Sequence, residues 1–523
     1  MWGPNWQRKV NSEFEADPIM FEVTHELRRF SLASILQVAL KLLNHPFDNP
    51  GREIEALPWV TLLIAEFALG DSVVATGTKN AISRREFKLL RAKLWEAGVP
   101  SDHGIRMVRS IAYTQCQFQL AETFEFVRWP AIIDRLHLQH ALRRDFVDKL
   151  GLTPDALLDV IFAVYSQFLK GDSEISAGTV ETLRAAFGSK LDALLSHLAR
   201  DVNELRETLS SDERRRRHSS QLVVDYPVFQ RFPLLWTDVG SLRCWHPKVL
   251  TRGIDEFIHT QLSPAGHDYA SPYGEVFEDY VVELALSTGL PHLGEKMYKR
   301  TVGREKKAVE IILRDDDCNV FIEAKFGLYQ DAHVTFDDAR YAKRKLSKLR
   351  DGVGQAADVS RRLATREEFS QFKDRKSDFL LVVTNRQLHI PTGRDLESMS
   401  SRRHGEVDPD VRLKTTEWLL IENIFVVSLH EFERLFTSVA EGRIRLVELL
   451  SRISAKMKDP MYWRLSFEEL VADNLPPEMT RPVVAPLIKS AVEAALARTA
   501  TALGQPKAAS SLESLAASMP IGS

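Results

Sequence analysis

The chain has 523 residues, of which 44% are hydrophobic and 27% are charged. This length exceeds what one hydrophobic core usually organises and predicts about two to four domains, while the composition excludes a mostly disordered or collagen-like chain. The 69 basic and 72 acidic residues give a formal net charge of −3, which excludes a globally cationic binder but allows a local basic groove.

Cysteine spacing and hydropathy point to a reducing compartment. The cysteines Cys116, Cys244 and Cys318 lie far apart without a CxxC pair, which predicts neither a disulfide scaffold nor a zinc module. The longest apolar stretches are interrupted by Glu66 or Asp159, and they are shorter than the roughly 20 residues that span a bilayer. We therefore expect a cytoplasmic protein without a membrane partner.

Residues 1–215 are predicted to form an all-α N-terminal domain. Apolar residues recur at intervals of three and four over residues 32–43, as on one face of a helix. Ser83 and Glu86 have the spacing of a capping box, and Thr153 precedes a proline at a typical helix start. This domain is predicted to recognise a protein partner, a substrate or a trigger.

A stretch rich in serine and arginine marks the first domain boundary. Its four consecutive arginines, at residues 214–217, fit either phosphate contacts or a solvated linker. Residues 216–268 carry short β-type runs and one helix, and they are interpreted as an adaptor packed against the next domain. Residues 269–438 alternate helices and strands as in an α/β domain. Residues 439–500 are predicted to be helical, and residues 501–523 are Ala- and Ser-rich and are expected to form a disordered tail.

The runs 308–314 and 319–326 have β-type composition and flank three aspartates. This composition predicts a hairpin that turns on Asp316 and Asp317. The turn position fixes which residues of the two antiparallel strands face each other.

Three chemically active side chains converge in this register. Glu310 faces Glu323, and Lys325 lies on the face of Glu323 because strand side chains alternate. Directly opposed carboxylates repel, and a divalent cation such as Mg²⁺ would compensate them. Lys325 could hold the attacking water and stabilise charge that develops on phosphorus. The hairpin therefore predicts phosphodiester cleavage.

The pattern resembles the PD-(D/E)XK nuclease superfamily. The resemblance rests on the triplet Glu323-Ala324-Lys325 at the end of a strand, on Glu310 in the preceding strand, and on the order helix, hairpin, helix, strand over residues 269–438. It implies a restriction-endonuclease-like α/β domain with a central mixed sheet. It also implies a Mg²⁺-dependent nuclease, with Mn²⁺ as a substitute, acting on nucleic acid with DNA favoured, and a role in bacterial restriction or anti-phage defence. By the same resemblance, Glu310, Glu323 and the backbone carbonyl of Ala324 hold the metal, and Lys325 orients the water.

Other residues of this chain match the pattern of the family or depart from it. The first acid is usually Asp, whereas this chain has the longer Glu310. Many members carry an acid on the helix before the hairpin that reaches the metal, and Glu278 matches that place best, with Glu275 as the competitor. The alternative is an ordinary solvated acid in a first helical turn. Gln355 follows the triplet where some related nucleases have a glutamine beside the metal.

Basic residues flank the hairpin on both sides. They would contact phosphates without reading base sequence, or they would form the solvated face of an amphipathic helix. The predicted nucleic-acid contacts are Arg304, Lys306, Lys343, Arg344, Lys345 and Lys348. Cutting both strands of a duplex would require two such sites, so the family implies a homodimer for that activity.

Two other functions compete with the nuclease hypothesis. A nuclease-like module that has lost catalysis would bind nucleic acid or act as a scaffold, and the Glu310 departure favours it. A helical interaction protein with an incidental hairpin would have its basic clusters facing away from Glu323.

Overall fold

The computed structural model describes residues 18–44, 58–75, 80–98, 124–168, 173–211, 228–262, 267–327, 343–344, 346–400, 409–459, 461–479 and 483–504. Helices predominate, and two small mixed sheets accompany them. The chain divides into two compact units, residues 1–264 together with 487–523, and residues 265–486. Within the described ranges, no helix combines the length and the apolar character needed to cross a membrane.

Most of the first unit is helical. In chain order its helices are α1 (Pro18–Leu27), α2 (Leu32–Asn44), α3 (Pro58–Gly70), α4 (Ser72–Ala75), α5 (Arg84–Gly98), α6 (Arg128–Asp134), α7 (Ala141–Leu150), α8 (Pro154–Phe168), α9 (Ala177–Phe187), α10 (Ser189–Leu198), α11 (Val202–Ser211), α12 (Val228–Arg231) and α13 (Pro247–Leu262). Every residue of α3 from Pro58 to Leu69 is buried, so α3 lies inside the core of this unit.

Local sequence signals locate these helices well. The Glu86 amide donates to Ser83 Oγ at 3.2 Å and the Ser83 amide donates to Glu86 Oε2 at 2.8 Å, so the predicted capping box opens α5. The apolar periodicity of residues 32–43 coincides with α2. Pro154 is the first residue of α8, as its fixed backbone angle favours.

The first unit also contains a four-stranded sheet of order β1-β4-β3-β2. Its strands are β1 (Glu174–Ile175), β2 (Ala199–Arg200), β3 (Leu234–Trp236) and β4 (Leu242–Cys244). Because β1 and β2 lie within residues 1–215, the expectation of an all-α N-terminal region is wrong in this detail; two-residue strands leave no periodicity to detect.

The adaptor segment is part of the first unit. Strands β3 and β4 lie in residues 216–268 and pair with β2 and β1, so they complete a sheet that the N-terminal region begins. One of the short β-type runs of this segment spans residues 223–228; its first five residues lie outside the described residues, and Val228 belongs to α12.

The second unit combines helices with a five-stranded sheet. Its elements are α14 (His267–Leu286), β5 (His292–Gly294), α15 (Glu295–Val302), β6 (Ile311–Asp315), β7 (Cys318–Lys325), α16 (Ser347–Thr365), α17 (Ser370–Lys373), β8 (Ser377–Thr384), α18 (Gly393–Ser400), β9 (Ile424–Ser428), α19 (Leu429–Ala440), α20 (Leu446–Met457) and α21 (Phe467–Ala472). The last helix, α22 (Pro486–Ala502), returns to the first unit. There Arg498 and Thr499 bond to Asp159 of α8. Residues 505–523, most of the expected disordered tail, lie outside the described residues.

The second sheet has the order β5-β6-β7-β8-β9. Strands β5, β6 and β7 are antiparallel neighbours, whereas β7, β8 and β9 run parallel. Arg314 pairs with Asn319, and the turn lies at Asp316, whose φ is 47°, and Asp317. The predicted hairpin and its register are therefore confirmed over β6 and β7.

Three element boundaries differ from the sequence-based expectation. Helix α14, which the sequence predicts over residues 275–286, begins at His267 and includes Pro272 near its start. Helix α16, which the sequence predicts near residues 343–363, begins at Ser347, and residues 343–344 before it are also helical. Strand β6 begins at Ile311, so Glu310 precedes it. The β6–β7 ladder ends one pair short of Glu310 and Glu323, where two carboxylates would be directly opposed.

A buried polar network ties the beginning of β7 to its neighbours. Arg375 and Asp378 form an ion pair at 2.6 Å with both side chains 0% exposed. Asn319 of β7 and Ser360 of α16 also donate to the Asp378 carboxylate, at 3.0 and 2.6 Å. These bonds satisfy the buried charges and fix β7, β8 and α16 relative to one another.

Candidate functional site

The end of β7 carries the two strongest candidate residues. Glu323 is fully buried, Lys325 is partly exposed, and Lys325 Nζ contacts Glu323 Oε1. A Cβ at Gly352 of α16 would lie 3.0 Å from Glu323 Cγ and 3.2 Å from Lys325 Cε. The predicted shared face of these two side chains is confirmed, and the absence of a side chain at Gly352 lets α16 approach them.

Glu310 lies just before β6 and is partly buried. Gln355 Nε2 of α16 donates to the Ala308 carbonyl at 3.2 Å, and the Glu295 amide donates to the Glu310 carbonyl at 3.0 Å. The backbone that carries Glu310 is thus held from both sides, and Gln355 lies at the margin of the site rather than among its acids.

Glu278 is supplied by α14. Tyr273 and Phe277 of this helix face Phe326, with ring centroids 4.4 and 6.4 Å apart, so α14 lies beside the end of β7. Glu278 is partly buried, whereas Glu275 is exposed. Burial raises the pKa of Glu278, and the charge of Lys325 opposes this shift.

The carboxylates of the site are crowded and poorly hydrated. Burial, reinforced by the charges of Glu323, Glu278 and Glu295, raises the pKa of Glu310 to about 8. Burial raises the pKa of Glu323 to about 7, although the nearby Lys325 opposes this shift. Burial and the neighbouring acids therefore oppose ionisation of Glu310 and Glu323 in the metal-free protein, and a bound cation would favour their ionised forms.

The oxygen atoms available at this site can be matched to the ligands that a divalent metal needs. Glu323 Oε2 is buried and has no hydrogen-bond partner among the described residues. Across those same residues, no three His, Cys, Asp or Glu side chains lie close enough to form a complete metal site. Carboxylate oxygens with an open first shell suit Mg²⁺, which binds one or two carboxylates and keeps several waters. The residues thus fit a hydrated hard cation better than a closed structural metal.

The remaining predicted positions are less closely tied to the acids. Ala324 is buried in β7, where it pairs with Val383 of β8. Arg304 and Lys306 are exposed in the loop after α15, and Lys348 is exposed on α16, one turn before Gly352.

The other predicted phosphate contacts have their own surroundings. Lys343 forms an ion pair with Asp410 at 3.2 Å, and Arg344 is exposed. Lys345 lies outside the described residues. Of the predicted basic residues, Lys348 is therefore the one that lies on α16 itself, one turn before Gly352.

Sequence reasoning missed Glu295. This acid is the first residue of α15 and directly follows β5, a strand of only three residues that has no detectable alternation. The available signal was Gly294 followed by an acid, which is typical of a helix start, but it says nothing about closeness to Glu310.

No family model matches the sequence, and no similar protein was found among curated proteins or solved structures. The site is therefore interpreted from its own geometry.

Proposed function

We propose that residues 265–486 form a Mg²⁺-dependent nuclease that hydrolyses phosphodiester bonds of nucleic acid, with DNA as the favoured substrate. One observation carries the proposal: Glu323 and Lys325 meet at the end of β7, and a buried carboxylate oxygen of Glu323 lacks a partner among the described residues. The order helix, hairpin, helix, strand around a mixed sheet supports the resemblance to PD-(D/E)XK nucleases.

Each residue has a distinct role in this proposal. Glu323 and Glu310, with the Ala324 carbonyl, would hold the cation, and Glu278 would complete its surroundings from α14. A bound Mg²⁺ would polarise the phosphate and lower the pKa of a coordinated water. Lys325 would then give up its contact with Glu323, orient the attacking water and stabilise negative charge on the phosphate oxygens.

Basic residues around the site would position the substrate. Lys348 is exposed at the N-terminal turn of α16, where the helix dipole also favours an anion. At Gly352, one turn further along, an added Cβ would lie against Glu323 and Lys325. A phosphate bound at Lys348 would thus lie on the helix that flanks the catalytic pair, and Arg304 and Lys306 would extend this contact along the backbone.

A binding role without catalysis is the second candidate. The observation that favours it is the direct contact between Lys325 and Glu323, because such an ion pair could serve only to neutralise a buried acid. In that case the basic residues would still bind nucleic acid, but substitutions at Glu323 would not affect any reaction.

The test compares cleavage of supercoiled plasmid, linear duplex, single-stranded DNA and RNA in Mg²⁺, Mn²⁺ or EDTA. Wild type is compared with Glu323→Gln and Lys325→Met, and the exposed pair variants Asp358→Asn and Arg361→Met of α16 serve as controls. We expect metal-dependent cleavage that both site variants abolish and both controls retain. Equal cleavage by wild type and Glu323→Gln would rule out the proposed site.

A further inference from the structure

Three acidic residues, Glu295, Glu310 and Glu323, follow the last pairs of two neighbouring strand ladders. In the β5–β6 ladder Gly294 pairs with Ile311, so the next pair in that register is Glu295 with Glu310. In the β6–β7 ladder Ile311 pairs with Ile322, so the next pair is Glu310 with Glu323. Directly opposed residues of antiparallel strands project their side chains to the same face, which this register gives for Glu310 and Glu323, whereas Glu295 is the first residue of α15.

Backbone bonding continues beyond the regular strands. The Glu295 amide donates to the Glu310 carbonyl at 3.0 Å, which continues the β5–β6 ladder by one bond. Glu295 is therefore fixed beside Glu310 by main-chain geometry. The charge of Glu295 also acts on Glu278, Glu310 and Glu323.

Glu295 differs from the other acids in its exposure and its partner. Its side chain is 36% exposed and pairs with Lys299, one turn later in α15, whose side chain is 32% exposed. An acid at the solvent side of the site can accept hydrogen bonds from metal-bound water. The buried Oε2 of Glu323 has no partner among the described residues, and a bound cation would supply one.

We propose that Glu295 is a positioning residue of the metal site, which binds water ligands of the divalent cation on the side of Glu310. This inference rests on the proposed function, since it requires a cation at Glu310 and Glu323. The inference adds a fourth carboxylate to the site. Lys299 then competes with the hydrated ion for Glu295, because the Glu295–Lys299 ion pair must open before Glu295 accepts hydrogen bonds from the water ligands. Outer-shell partners of this kind typically change metal affinity by about 10- to 100-fold.

The test is the affinity of the full chain for Mn²⁺, measured from the electron paramagnetic resonance signal of the free ion, without nucleic acid. We expect Glu295→Gln to weaken Mn²⁺ binding at least about 10-fold while its thermal unfolding midpoint in EDTA stays that of wild type. The control Glu305→Gln removes an exposed acid from the loop after α15 and should leave the affinity unchanged.

The variant Lys299→Met should change the Mn²⁺ affinity in the opposite direction. It should tighten Mn²⁺ binding in the wild-type background and have no effect in the Glu295→Gln background, because Lys299 acts through Glu295. Equal effects in both backgrounds would show a general charge effect and overturn the inference.

A Glu323→Gln reference separates the possible failures. If wild type binds Mn²⁺ and Glu323→Gln does not, while Glu295→Gln binds like wild type, the role of Glu295 is refuted and the metal site stands. If wild type binds no Mn²⁺, both the metal site and the role of Glu295 are refuted.

Discussion

Glu310 and Glu323 occupy an environment that opposes their ionisation. Both are at least partly buried and close to further acids, and Lys325 is the cation in direct contact with Glu323. Burial and the neighbouring acids therefore favour the protonated forms of Glu310 and Glu323 in the metal-free protein. This preference makes the stability of the folded protein depend on pH.

Glu310→Gln should make the folding stability of the metal-free protein less dependent on pH. The unfolded chain releases the Glu310 proton near its ordinary pKa of 4.5, whereas the folded chain keeps it to about 8. The contribution of the Glu310 carboxyl to folding stability is fully present below its pKa in the unfolded chain, and it is lost as the pH rises to about 8. We expect the stability advantage of Glu310→Gln over wild type to grow by about 1–3 kcal/mol from pH 5 to pH 8.

Urea unfolding in EDTA at several pH values measures this difference. An advantage that stays constant from pH 5 to pH 8 would mean that Glu310 titrates normally and that the acids do not interact.

Gly352→Ala tests how closely α16 must approach the site. The added methyl would meet Glu323 and Lys325 at 3.0 and 3.2 Å, whereas at Gly354 of the same helix the nearest atom is Lys414 Cδ at 3.8 Å. Gly354→Ala should therefore stabilise the helix by up to about 1 kcal/mol and retain cleavage. Gly352→Ala should reduce the proposed cleavage at least about 10-fold by displacing Glu323 and Lys325.

Cleavage rates and unfolding midpoints of the two alanine variants provide the comparison. Equal rates would show that the site tolerates displacement and that Gly352 has no positioning role.

At the scale of elements, β7 connects the site to the rest of the sheet. Its first residues contact the buried Arg375–Asp378 pair through Asn319, and its last residues carry Glu323 and Lys325. Helix α16 joins the same network, since Ser360 donates to Asp378 of β8, and a Cβ at Gly352 of α16 would lie against Glu323 and Lys325. The polar network thus holds the strand and the helix that carry and flank Glu323 and Lys325.

Arg375→Met should destabilise the second unit strongly. It leaves the buried Asp378 carboxylate without its cation, and breaking a buried pair in this way costs about 3–5 kcal/mol. Arg361→Met removes an exposed arginine of α16 that is paired with Asp358 and should cost at most about 0.5 kcal/mol. Urea unfolding of both variants tests this, and a small effect at Arg375 would show that water replaces the lost partner.

At the scale of the whole molecule, the chain leaves the first unit at residue 264 and rejoins it at residue 487. The second unit is therefore an insertion in the sequence of the first. Helix α22 completes the first unit through Arg498 and Thr499, which bond to Asp159 of α8. Under the proposed function, the inserted unit would carry the chemistry, and the first unit would recognise a partner or a trigger.

Deletion of residues 487–523 should therefore lower the stability of the first unit. The truncation removes the bonds to Asp159 and the buried residues Val492 and Ala495. We expect the unfolding midpoint of the first unit to fall by at least about 3 °C, with Mn²⁺ affinity unchanged. Calorimetry with and without Mn²⁺ distinguishes the two units, and a lowered Mn²⁺ affinity would contradict this division.

The sequence predicted what local rules determine. The aspartate turn and strand alternation located the hairpin, its register and the shared face of Glu323 and Lys325. It did not predict β5, because a three-residue strand has no pattern, and so it missed Glu295. The return of α22 to Asp159 and the close approach of Gly352 arise from tertiary packing, for which a single sequence contains no local signal.

The most direct test of the nuclease proposal measures binding and cleavage on one substrate. Wild type and Glu323→Gln are incubated with the same labelled DNA in Mg²⁺, and bound and cleaved fractions are recorded together. We predict that both proteins bind the DNA and that only wild type cleaves it, with EDTA abolishing cleavage. Binding without cleavage by wild type in Mg²⁺ and in Mn²⁺ would contradict the proposal and identify a nuclease-like binding module.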